Sequence, residues 1–218
     1  MSLDYFQEQL QGIYEINVKQ RAHDFLLTDE IIANQLSGAG NTCSSRERLL
    51  IAECDQGLDI SLYISAEVMQ MLDECHPTDL LRTGNYAEFC LILEGVSHFL
   101  YLLWNASHDR QVTLFEMELQ AEIDKFVLLA SMDQQHREHV LDSGHIGSWL
   151  FEGHAYDDWL NADELLRYER ANYFAGKYCK GLQQQFRVAD MNQGLLNELR
   201  RFYRYGREDK LRYINKLN

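Results

Sequence analysis

The sequence predicts a mainly α fold, a helical bundle of long antiparallel helices with a small N-terminal antiparallel β element of two or three strands (α+β by strict count). Three observations carry this expectation. The 218 residues include a single proline, where average usage would supply about eleven, so long uninterrupted helices are open to the chain. Apolar residues recur with helical spacing over most of residues 65–218. One hairpin signal, within residues 49–64, precedes them. No repeat or low-complexity tract divides the chain, and 46% apolar residues are ample for a core. One compact domain over residues 1–218 is therefore expected, with a helix and hairpin region at 1–64, central helices at 65–160 and basic helices at 161–218.

Residues 3–12 read as a short helix. Residues 13–18 alternate as a strand would, and Asp29 opens what looks like a capped helical turn. Residues 37–42, with Ser44 and Ser45, form a small polar loop. Strands at 49–54 and 58–64 then flank Asp55-Gln56-Gly57, with glycine at the position that needs a positive φ. Leu58, Ile60, Leu62 and Ile64 share one face of the second strand. Since an isolated hairpin is barely stable, a third strand or a helix against it is needed, and residues 13–18 are the natural third strand.

From Ser65 the pattern becomes helical. Ser65 caps a helix to about Glu74, and Pro77 closes that region. Asn85 caps a long helix to about Asn105. Thr113 with Glu116, and Asn161 with Glu164, fit capping boxes that open helices to about Met132 and Val188. Shorter structure is expected around residues 146–151. A helix from Asn192 stops at Gly206, a plausible C′ residue, and a last helix follows.

The formal net charge is -14, which disfavours nucleic acid as a partner of the whole chain. The charge is unevenly spread, because the segment from Asp163 onward carries net positive charge and the rest is strongly acidic. The five cysteines, Cys43, Cys54, Cys75, Cys90 and Cys179, form no C-x-x-C pair, which argues for a reducing compartment. The first residues lack a basic segment followed by an apolar run, and no stretch of 18 apolar residues is free of charge. A cytoplasmic protein away from membranes is the expectation.

The central helix pair carries the most specific candidate. On a helical wheel residues 89–105 are apolar nearly all round, apart from a stripe of Glu94, Ser97, His98, Tyr101 and Asn105. The next helix places Glu122 inside its apolar face and Glu118 at the edge. A buried carboxylate needs a partner. Glu94, His98, Glu118 and Glu122 could hold iron, manganese or zinc between facing helices, although no E-x-x-H motif is present. The leading reading is instead a structural one, in which Glu122 forms a buried polar bridge to Lys125 or His98.

Other candidates are weaker. His23-Asp24 and His108-Asp109 lack the additional ligands a His-Asp phosphohydrolase needs, and His136, His139, His145 and His154, with Asp157 and Asp158, read as solvent-facing. Cys179, between Lys177 and Lys180, reads as a core residue. No G-x-S-x-G or glycine-rich phosphate loop occurs. The last segment interleaves Arg200, Arg201, Arg204 and Arg207 with Phe202, Tyr203 and Tyr205, a mixture found at interfaces and on single-stranded nucleic acid, and equally on a helix packed against an acidic body.

The leading expectation is a cytosolic protein-interaction or regulatory protein with no cofactor. It would present Arg200, Arg201, Arg204, Tyr205 and Arg207 to a protein partner or a second copy. The alternative is a metal-dependent hydrolase or oxidoreductase using the carboxylates and His98. Nucleic-acid binding through the basic C-terminal helices is the weaker third option.

Overall fold

In the computed structural model, which describes residues 2–37, 45–54, 57–133, 143–153 and 160–217, one helix forms the axis of the fold. This helix, Leu114–Asp133, is buried throughout residues 115–132 except at Glu122 and Ser131, which are half-buried. The fold is mainly α with a small β element. In chain order it comprises α1 (Ser2–Tyr14), β1 (Leu26–Leu27), α2 (Glu30–Leu36), β2 (Glu47–Cys54), β3 (Gly57–Ile64), α3 (Ala66–Glu74), α4 (Pro77–Arg82) and α5 (Tyr86–Ala106). The axial helix is α6, followed by α7 (Ser143–Phe151), α8 (Ala162–Gln185), α9 (Gln193–Tyr203) and α10 (Arg207–Lys216). The polar loop at 38–44, the turn residues Asp55 and Gln56, and His136, His139, His154, Asp157 and Asp158 lie outside the described residues.

Helices α5, α7 and α8 pack on α6, while α1 packs on α5 and α9. Glu94 meets Lys125 and Ser97 meets Asp124, so α5 and α6 run in opposite senses. By length and composition α5 could cross a membrane, but 67% of its most apolar window is buried inside the protein, the profile of a core helix. The two capping boxes form. Thr113 N–H donates to Glu116 Oε2 at 3.0 Å, and Asn161 N–H donates to Glu164 Oε2 at 3.1 Å. Asp29 caps α2 through the N–H groups of Ile31 and Ile32.

The sheet departs from expectation at its third strand. β2 and β3 form the antiparallel hairpin, with Gly57 at φ +140°, but β3's other neighbour is Leu26–Leu27, and that pairing is parallel. Residues 13–18 are not a strand. Leu3, Phe6, Gln7, Leu10, Ile13 and Tyr14 are all buried, a 3.6-residue stripe that carries α1 through Tyr14 and overrides the short alternation. The extended chain beyond uses α1 side chains in place of a strand partner. Val18 N–H donates to Gln11 Oε1 at 2.7 Å, and Ala22 N–H to Gln7 Oε1 at 2.8 Å.

Two helix ends also differ. Pro77 opens α4 as its first residue, where its missing N–H costs nothing. Gly206 has φ -79° and caps the start of α10; α9 already ends at Tyr203. The basic segment docks on the end of α1. Arg200 Nε donates to Ile13 O at 3.0 Å, and Arg204 donates to Tyr14 O at 3.1 Å and Glu15 O at 3.3 Å. These are carbonyls that α1 leaves unbonded at its C-terminal end. Tyr203 stacks on Tyr14 and Phe202 on Tyr178, with ring centroids 4.2 and 3.9 Å apart.

Candidate functional site

A helix buried on all sides has nowhere to send polar side chains except into other elements. On α6, Glu116, Gln120 and Asp124 are four residues apart and share one stripe, while Glu118, Glu122 and Lys125 share another. The stripe on α5 divides the same way, with Ser97 and Tyr101 turned to the first set and Glu94 and His98 to the second. Two polar clusters result inside one core.

The first centres on Asp124. Its carboxylate accepts from Ser97 Oγ at 2.6 Å, from Gln120 Nε2 at 2.8 Å and from the Tyr14 hydroxyl. Lys210, fully buried on α10, donates to Gln120 Oε1 at 2.7 Å. Its ammonium lies 4.5 Å from the Tyr101 ring centre and 5.1 Å from that of Phe202, a favourable setting for a cation without a direct counterion. Burial pushes the Asp124 carboxyl up to about 6 against the pull of Ser97, Tyr14 and Gln120. Burial likewise pushes Lys210 down to about 7, with Glu116 and Asp124 opposing it. No side chain in this network has a buried polar atom lacking a hydrogen bond.

The second cluster centres on His98, whose side chain is 6% exposed. Its Nδ1 lies 3.5 Å from Glu47 Oε1, and its Nε2 lies 3.5 Å from Glu118 Oε2. Glu47 arrives from β2 and can approach only because position 95 is glycine. A Cβ there would stand 3.0 Å from Glu47 Cγ and from Leu62 Cδ1. Glu118 in turn lies 3.8 Å from Arg167 Nε on α8. Lys125 Nζ sits between Glu94 Oε2 at 2.6 Å and Glu122 Oε1 at 2.8 Å.

This cluster is incompletely satisfied. Glu47 Oε1, His98 Nε2, Glu122 Oε2 and Arg167 Nε are buried and make no hydrogen bond, four of the seven such atoms among the described residues. An unmade bond in a buried site is costly. Burial raises the Glu47 carboxyl pKa, with His98 acting against that rise. Burial also opposes charge on His98 more than any single neighbour favours it, yet Glu118 and Glu47 together hold its pKa well above the ordinary value. Tyr168 lies close enough to feel the charges of Glu118, Glu94 and Glu47.

Glu47, Glu94 and His98 can each bring one ligand atom within 4.8 Å of the others. Of the four residues expected at a metal, the structure thus gathers Glu94 and His98 and adds Glu47. Glu118 stands on the far nitrogen of the imidazole, and Glu122 is turned to Lys125. Glu47 escaped the sequence reading because it lies ahead of the strand expected at 49–54 and meets His98 only through the tertiary fold. Gly95, one small residue in a bulky apolar helix, signalled that some element crosses there, though not which.

The remaining candidates fall elsewhere. Arg201 pairs with Glu198 and donates to the Tyr213 hydroxyl at 2.9 Å, Arg207 lies 5.7 Å from the Phe115 ring centre, and Tyr205 packs on Phe202 and Tyr213. With Arg200 and Arg204 bonded to α1, this segment directs much of its hydrogen bonding into the chain itself. His23, Asp24, His108, Asp109 and His145 are exposed. Cys179 is buried, and burial raises its thiol pKa, the opposite of an activated nucleophile. Compared with protein-family models, curated proteins and solved structures, the chain matches none.

Proposed function

We propose that the protein is metal-dependent, holding a divalent transition-metal cation on Glu47, Glu94 and His98 Nδ1 and using it in hydrolytic or redox chemistry. The observation that carries this reading is the buried imidazole between Glu47 and Glu118, with Glu47 Oε1, 3.5 Å from His98 Nδ1, making no hydrogen bond. An imidazole ligand characteristically passes its other N–H to a carboxylate, which fixes the ring and raises its basicity. Glu118 is placed for that role and is itself steadied by Arg167. One nitrogen and two carboxylate oxygens suit manganese, iron or zinc. Three protein ligands leave coordination positions for water or a substrate, where the ion would act as a Lewis acid or redox centre.

Charge supports the same reading. Among the described residues Glu47, Glu94, Glu118 and Glu122 face Lys125 and Arg167 as permanent cations, and a divalent ion that displaces the His98 proton on binding Nδ1 would balance the four carboxylates. The partner-surface reading has less support, because Arg200 and Arg204 are engaged with α1. The test is metal content. Purified protein supplied with Mn²⁺ should retain the ion through dialysis, and His98→Ala should lose it.

A further inference from the structure

Two groups beside the Glu47–Glu94–His98 set bear on whether a second ion could join the first. Glu94 is shared, contributing to the Glu47–His98 set while its Oε2 holds Lys125 at 2.6 Å. Glu122 holds the same ammonium through Oε1 at 2.8 Å, and its Oε2 is buried with no hydrogen bond. Lys125 is itself 5% exposed. Two carboxylates converging on a buried point charge, one of them shared with an adjacent cation site, is how a pair of metal ions is bridged in a helical bundle. Here the second position is filled by an amine of the chain.

We infer that the cluster is a one-ion centre in which the Lys125 ammonium, gripped by Glu94 and Glu122, takes the place of a second divalent ion. The inference rests on the cation reading of Glu47, Glu94 and His98. Charge counting agrees. One divalent ion beside Lys125 and Arg167 balances the four carboxylates, whereas two would leave a buried excess of positive charge, which is expensive to hold in a core. Replacing Lys125 with an uncharged side chain removes the resident cation and leaves Glu94 and Glu122 to ligate another.

The experiment is equilibrium dialysis of the full chain against Mn²⁺ alone, read with electron paramagnetic resonance. Wild type should bind one equivalent with a magnetically isolated spectrum. Lys125→Met should bind two, and the spectrum should show exchange coupling through a shared Glu94. Lys125→Met/Glu122→Gln should return to one. Lys125→Gln, which keeps a polar side chain without the charge, gives the same readout if the methionine variant fails to fold by circular dichroism. Two equivalents in wild type, or only one in folded Lys125 variants, would overturn the inference while leaving the cation site standing. So would a second ion without coupling. No bound ion in wild type would remove the cation reading, and this inference with it.

Discussion

Around Asp124 every buried side-chain polar atom makes a hydrogen bond, whereas around His98 four buried atoms make none, three of them standing only at ion-pair distances of 3.5–3.8 Å. Both clusters hang from α6 and both mix carboxylates with a lysine, so composition does not separate them. Closure does. A satisfied network specifies how α1, α5, α6 and α10 fit together. An unsatisfied one calls for an explanation, of which a bound ion is one. This contrast is why the first cluster reads as structure and the second as a site.

The largest expected effect breaks the closed network. Asp124→Ala removes the acceptor shared by Tyr14, Ser97 and Gln120 and an anion facing Lys210, and should cost about 3–5 kcal/mol in denaturant unfolding. Glu47→Gln in metal-free protein should instead leave stability unchanged or raise it, since it removes an excess negative charge. Equal losses at the two positions would erase the distinction.

Next comes pH. Lys210 is pushed down to about 7 in the folded chain against about 10.4 unfolded. Between those values the unfolded chain binds the extra proton, so this group makes stability rise with pH. Asp124, pushed up to about 6 against about 3.9 unfolded, makes stability fall as pH rises from about 4 to 6. Their joint contribution is therefore smallest between about pH 6 and 7. Lys210→Met should abolish the rise above pH 7 in urea titrations followed by circular dichroism; an unchanged profile would mean the lysine is charged throughout.

A smaller effect sharpens the open cluster. Glu118→Gln keeps the shape but weakens the acceptor for His98, and should reduce Mn²⁺ affinity about 10–100-fold while the melting temperature of metal-free protein barely moves. Smallest of all, Arg204→Ala should cost about 1–2 kcal/mol through lost bonds to Tyr14 O and Glu15 O, with no change in metal content.

What was legible in the sequence was local. The capping boxes at Thr113–Glu116 and Asn161–Glu164, the hairpin, and the buried character of Glu122 beside Lys125 all follow from residues within one or two turns of each other. The third strand was misplaced because six alternating residues competed with a helical stripe spanning Leu3 to Tyr14, and the longer pattern buries more. Glu47, Asp124 and Lys210 were not legible as site or network residues, since each acquires its role from side chains far along the chain. Gly206 misled because glycine closes helices and also opens them, and only the backbone angle distinguishes the two.

The most direct test compares the clusters in one measurement, the number of Mn²⁺ ions retained per chain by wild type, His98→Ala and Asp124→Asn, each checked for folding. One ion is expected in wild type, none in His98→Ala and one in Asp124→Asn. Retention by folded His98→Ala, or loss in folded Asp124→Asn, would contradict it.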